Sequence, residues 1–155
     1  MNQRNLNDEV MDMEREKIIE EVESILKVPQ PGIMSTAYGN LPHSRYMMFH
    51  SDGRNLYAET SAASVDVDEI RENNLAYIIL GYDAEAESSY LEMLAETEVV
   101  MNQVTIDWLW DQQDHHDLDV LEEEVMIVLK FIPGQIKLMN ANDAIDQPEV
   151  LDFTR

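Results

Sequence analysis

Apolar residues recur near helical spacing early in the chain. Val10, Met13, Ile18, Val22, Ile25 and Leu26 alternate with acids and predict an amphipathic helix over about residues 8–27. The run Val28-Pro29-Gln30-Pro31-Gly32 ends it, because proline cannot continue a helix. Strand patterns follow at Ile33 to Tyr38, His43 to His50 and Asn55 to Thr60, separated by the turn signals Gly39-Asn40 and Ser51-Asp52-Gly53. Pro42 suits a strand start or a sheet edge. Ser64 is placed to cap a short helix running to about Asn73, with Asp66, Asp68 and Glu69 near the positive end of its dipole.

Leu75 to Leu80 (LAYIIL) is a continuous apolar run, the pattern of a strand buried on both faces. Ser89 to Val100 alternates over a longer span, and Val104 to about Gln112 reads as a short helix carrying both tryptophans. After an acidic loop from Asp114 to Glu124, Val125 to Ile132 is a further strand, with Ile136 to Met139 extending it past Pro133-Gly134. About six strands and three helices result. Tight turns favour antiparallel pairing, and closing the sheet into a small barrel removes its exposed edges. The class is mainly β (α+β), in one domain over residues 1–140 with a polar tail at 141–155.

Composition narrows the partners. The 155 residues hold 32 Asp and Glu against 10 Lys and Arg, a formal charge of -22. The 58 residues between Arg71 and Lys130 contain 15 acids and no Lys or Arg. Such a surface repels nucleic acid and anionic membrane, so neither is an expected partner. No apolar run reaches the length of a membrane helix, and the first residues, MNQRNLNDEV, lack a signal-peptide pattern. Cysteine is absent, which removes disulfides and thiolate chemistry and makes a cytoplasmic protein the expectation.

Few residues carry recognisable chemistry. In HSRYMMF, alternation puts His43, Arg45, Met47 and Phe49 on one strand face. An arginine among apolar neighbours needs an anion, either a bound phosphate or carboxylate or one of the chain's own acids. Thr60, Ser61 and Ser64 bracket a strand-to-helix junction, where hydroxyls and free amides hold a phosphate or simply cap the helix. His115 and His116 lie among Asp111, Asp114, Asp117 and Asp119, but adjacent histidines seldom face one metal ion, and a solvated loop is the simpler reading. Trp108 and Trp110 sit on different helix faces, so one serves the core and the other can meet a ligand or a second subunit. No GxSxG, P-loop or GxGxxG pattern occurs.

The ordered series in GIMSTAYGNLPHSRYMMFHSDGRNLYAETSAASVDVDEIRENN resembles the flavin-binding split-barrel superfamily, in its pyridoxamine 5'-phosphate oxidase-like general stress branch. SSYLEMLAETEVV is similar to that family's long strand and VMIVLKFIPGQIKLMN to its closing strand, so the likeness spans about residues 14–140. It implies a six-stranded antiparallel split β-barrel with flanking helices, a homodimer, and FMN or another small-molecule ligand in the inter-subunit cleft. The family's phosphate-binding arginine falls on Arg45, its Thr-Ser pair on Thr60-Ser61 and its helix-start serine on Ser64. Backbone at Tyr46 and Met47 would run beside the flavin ring, and Trp110 falls where these proteins often carry a tryptophan.

One departure changes the expectation. Where the family places a lysine or a basic pair after that serine, this chain has Val65 and Asp66, and Ala95 replaces a glycine of the long strand. At ~4–6 Å and an effective dielectric near ~20, each unit charge pair is worth about 3–4 kcal/mol. Losing a cation and gaining an anion therefore weakens FMN binding by orders of magnitude. Two functions follow from the resemblance: a flavin-dependent oxidoreductase with a weakened phosphate site, or a non-enzymatic dimeric stress or binding protein that has lost FMN. The shortage of cations disfavours a second phosphorylated substrate, and so true pyridoxamine 5'-phosphate oxidase activity.

Overall fold

The computed structural model describes residues 6–85, 88–113, 125–139 and 149–152, with side chains from residue 15 to 139 within those ranges. A first helix, α1 (Leu6–Leu26), leads into strands β1 (Gln30–Tyr38), β2 (Leu41–Ser51) and β3 (Leu56–Ser61). Helix α2 (Val67–Glu72) precedes β4 (Leu75–Leu80) and β5 (Tyr90–Val100). Helix α3 (Gln103–Gln112), β6 (Met126–Met139) and β7 (Glu149–Asp152) complete the chain. The strand order β3-β2-β1-β4-β5-β6 closes through pairing of β3 with β6, giving a six-stranded antiparallel barrel.

Local chemistry sets the corners. Tyr38 pairs with Leu41, leaving Gly39 and Asn40 as a two-residue loop with φ of 55° and 65°. Two positive φ values make a type I′ turn, whose twist matches the strands it joins. At the next corner the Asp52 carboxylate accepts from the backbone N–H of Arg54 at 2.9 Å and of Asn55 at 2.8 Å, while Gly53 takes a φ of 98°. Gly32 is required for packing: a Cβ there would stand 2.6 Å from the Ile79 carbonyl oxygen and 2.9 Å from the Phe49 ring.

The core fills the barrel. Along β5, Leu91, Met93, Ala95 and Thr97 are buried, while Glu92, Leu94, Glu96 and Glu98 face outward. Phe49 and Phe131 meet inside with centroids 5.5 Å apart, and Val22 of α1 joins the same cluster. A smaller cluster of Tyr57, Leu109 and Val128 seats α3 outside β3, with Trp108 edge-on to Tyr57 at 5.1 Å.

Several expectations need correction. The Leu75–Leu80 strand is not buried on both faces: Ala76, Ile78 and Leu80 are buried, Tyr77 and Ile79 are half-buried, and Leu75 is exposed. β1 begins earlier than its apolar pattern suggests, at Gln30, and passes through Pro31. The two pieces of the last strand are one: Ala95 pairs with Pro133 and Leu94 with Gln135, so Gly134 is a bulge that bends β6 without ending it. Helix α2 starts at Val67, capped by Asp66 and not by Ser64. Beyond β6, Glu149–Asp152 pairs with residues 135–138 as a seventh strand.

Candidate functional site

The closed barrel has a deliberate weakness. β2 pairs with β1 along residues 41–49 but with β3 only at His50–Tyr57 and Ser51–Leu56. Beyond that corner the two strands part, and among the described residues the β2 edge from 41 to 49 has no strand partner on its β3 side. β3 swings across to β6, and its end, Thr60-Ser61, turns into α2. The split therefore lies between β2 on one lip and the β3–α2 junction on the other. The Asp52 corner holds the lips together, and the Tyr57 hydroxyl reinforces it by donating to Asp52 at 2.9 Å.

Arg45 bridges the split. It points inward with Met47 and Phe49, as alternation predicts, whereas His43 at the strand's start is exposed. Its Nη1 donates to the backbone carbonyl of Ser64, and its Nε is buried with no hydrogen-bond partner. Thr60 is buried at the end of β3, and the Ser61 hydroxyl accepts from the Ala63 N–H at 3.1 Å within a turn closed by the Ser64 N–H and the Ser61 carbonyl at 3.0 Å. The structure thus brings Arg45 to Ser64 and places Ser61 and Thr60 next to that turn. Tyr46 and Met48 project from the other face of β2, 83% and 50% exposed, and Met47 is buried in the core. Trp110 is 43% exposed on α3, and no residue of α3 lines the depression beside Arg45.

That depression is small and anionic. It has a volume of about 10 Å³, room for about one water, between Thr36 and Tyr38 of β1, Arg45, Glu69 of α2 and the residues that cap that helix, Asp66 and Asn73. Asp66 accepts from the Asp68 N–H at 2.9 Å, so its carboxylate occupies an amide that an anion at this helix start would use. The Tyr38 phenol is pushed above its ordinary pKa, chiefly by the Glu72 charge and hydrogen bond, with Glu69 and Asp66 adding to it. The two other arginines near the site in sequence do not offset this charge. Arg71 faces Asp68 at 4.0 Å, and Arg54 lines a different cavity.

Glu69, expected only as a helix-dipole acid, and Tyr38, not expected at the site, both line the depression. The signal for Glu69 was available: three residues after Asp66 on a helix, it shares a face with it. Tyr38 becomes visible only from the sheet register. The larger cavity, about 710 Å³, lies between α1 and the β5–β6 bulge, walled by Val22, Leu26, Leu94, Ile132 and Ile136. It is big enough for a ligand and is lined by Arg54 and Ala95, but not by Arg45, Tyr46, Met47, Thr60, Ser61, Ser64 or Trp110. Among the described residues no cluster of His, Asp and Glu is arranged to hold a metal, and His115 and His116 lie outside those residues. No described helix is long and apolar enough to cross a membrane.

No protein-family model matches the chain. Known proteins do. General stress protein 26 of Bacillus subtilis (strain 168) is 30% identical over 132 residues, covering 84% of this chain and 94% of the relative. The crystal structure of General Stress Protein 26 from Bacillus anthracis str. Sterne superposes with a TM-score of 0.69 at 22% identity, over 87% of this chain and 98% of that one. A pyridoxamine 5'-phosphate oxidase-related, FMN binding protein from Nostoc punctiforme superposes with a TM-score of 0.56 at 13% identity, over 89% and 96% of the two chains. The same barrel recurs in these structures, and the 30% identity to the Bacillus subtilis relative covers most of both chains, so this protein belongs to the general stress protein 26 family and has its split-barrel fold.

Proposed function

We propose that the chain is a flavin-binding split-barrel protein that acts as a homodimer, with the flavin in a cleft between subunits. The observation that carries this reading is the open β2 edge beside Arg45. The open edge offers backbone N–H and C=O groups from alternate residues of the 41–49 stretch, Tyr46 and Met47 lying in its middle, and such groups are what the polar edge of a planar heterocycle needs. Arg45, Thr60, Ser61 and Ser64 stand where the ribityl end would be held, and the buried Arg45 Nε has a hydrogen bond still to give. An open edge also has to be covered in solution, and exposed Tyr46 and Met48 beside it favour cover by a second copy. Trp110, exposed on α3, then reaches a ligand from the partner.

A bound flavin supplies hydride and one-electron chemistry, and the protein supplies position and field. Here Arg45 orients the ligand's tail, the β2 edge fixes the ring, and Met47 and Phe49 form the apolar floor behind Arg45. FMN, the ligand named for the Nostoc neighbour, meets a phosphate position weakened by Asp66. That charge also supports the second reading, a dimeric stress or binding protein that has lost its flavin. The test is an absorbance spectrum of freshly purified protein followed by flavin titration. A band near ~450 nm, or saturable quenching of flavin fluorescence, supports the flavin reading. A colourless protein that binds no flavin overturns it in favour of the second. Sedimentation then reads the dimer.

A further inference from the structure

Arg45 combines one unmet donor with an environment already rich in negative charge. Its Nη1 is taken by the Ser64 carbonyl and its Nε is buried without an acceptor. The depression beside it presents one cation against two carboxylates, Asp66 and Glu69. Glu72 adds a further negative charge close enough to Tyr38 to raise the pKa of its phenol. At the start of α2 the Asp68 N–H is already taken, because Asp66 accepts from it. The depression as it stands has room for about one water or hydroxyl oxygen, about 10 Å³.

A neutral hydroxyl and a phosphate both satisfy a lone N–H donor. They differ in what else they meet. A hydroxyl adds no charge and fits the space of one water. A dianion there faces two carboxylates, in a chain of net charge -22, and meets no lysine in the lining. We propose that this site takes a flavin whose side chain ends in a neutral hydroxyl, riboflavin or a non-phosphorylated analogue, in preference to FMN. The proposal rests on the flavin reading above and specifies the ligand for the same site.

The experiment is a fluorescence-quenching titration of the full chain with riboflavin and with FMN, at ~50 mM and ~500 mM NaCl. Riboflavin is expected to bind at least ~10-fold more tightly at low salt, and the gap should narrow as salt screens the repulsion. Asp66→Asn retains a capping oxygen while removing the charge. It should raise FMN affinity ~5-fold or more relative to riboflavin, with circular dichroism confirming that the fold is kept. FMN binding as tightly as riboflavin, or more tightly, overturns the proposal and leaves the flavin reading standing. An unchanged affinity ratio in Asp66→Asn overturns it as well. If neither flavin binds at up to ~100 μM, weaker than about -5.5 kcal/mol, the flavin reading falls and takes this proposal with it.

Discussion

Asp52 is the residue whose loss should cost the most for the fewest atoms removed. Its Oδ1 accepts from two backbone amides, Arg54 N at 2.9 Å and Asn55 N at 2.8 Å, and its Oδ2 accepts from the Tyr57 hydroxyl at 2.9 Å. Burial alone would raise the Asp52 pKa. The Asn55 and Arg54 amides, the Tyr57 hydroxyl and the Lys130 charge outweigh it and hold the carboxyl below its ordinary value. Tyr57 feels the converse: burial, and then the Asp52 carboxylate, push its phenol up to about 12. Asp52→Ala removes both acceptor oxygens, and with them three hydrogen bonds, and leaves the Tyr57 hydroxyl, on a residue only 6% exposed, without this partner. The two amides are exposed and regain water, so each counts for little. A hydroxyl donating to a charged acceptor is worth about 1.5–3 kcal/mol, which gives a total near ~2–4 kcal/mol. For a chain of this size that lowers Tm by about 5–15 °C. A double-mutant cycle with Tyr57→Phe, read by urea denaturation, should show a coupling above ~1 kcal/mol. Because the carboxyl pKa is depressed in the fold, this contribution is complete above the unfolded value near ~3.9 and is lost as pH falls through the folded one. A coupling within ~0.3 kcal/mol of zero would refute the account, since the hydroxyl and carboxylate would then not be sharing a bond of consequence.

Gly32→Ala drives a methyl into the Ile79 carbonyl and the Phe49 ring, and thermal melting should show a loss of about 1–3 kcal/mol. His50 is 5% exposed with neither ring nitrogen partnered, and burial lowers its pKa, so the unfolded chain binds its proton first. Stability at pH 7 should therefore decline as pH falls below ~6.5, and His50→Leu should flatten that slope in denaturant titrations at successive pH values. Asn102→Ala removes the oxygen that accepts from the Val104 N–H at 2.8 Å at the start of α3, and equilibrium unfolding should show a cost of about 0.5–2 kcal/mol.

The parts of this fold that were legible are those where a local rule has one solution. Gly39-Asn40 needs two left-handed residues and receives them, and the alternation in HSRYMMF correctly sends Arg45 inward with Met47 and Phe49. Elsewhere two local rules compete. Ser64 and Asp66 are both good caps two residues apart. Asp66 starts the helix because Ser64 is held in the preceding turn, its N–H on Ser61 and its carbonyl on Arg45. Pro31 and Pro133 read as breaks. Pro31 nevertheless sits within β1, in register with Met48, and Pro133 lies at a bulge, where a missing N–H costs little. The partner change of β6, from β3 over residues 126–131 to β7 over residues 135–138, has no sequence signal because it is decided by which strand arrives.

The Asp66 carboxylate has two roles, one in the stability of α2 and one in the charge of the depression beside Arg45. The hydrogen bond that caps α2 fixes the helix that carries Glu69, at the same junction where the Ser64 carbonyl meets Arg45. It therefore helps to build the junction and also sets its sign. A lysine at that position would supply a cation but no acceptor for the Asp68 amide, trading about 0.5–2 kcal/mol of helix stability for attraction to an anion. Asp66→Lys should accordingly lower Tm even as it raises FMN affinity, whereas Asp66→Asn should leave Tm nearly unchanged. If both variants melt like the parent, the carboxylate is not the cap, and the case for a pre-empted anion site loses its geometric half. If they separate as expected, the same residue can be assigned both to the stability of the junction and to the choice of ligand.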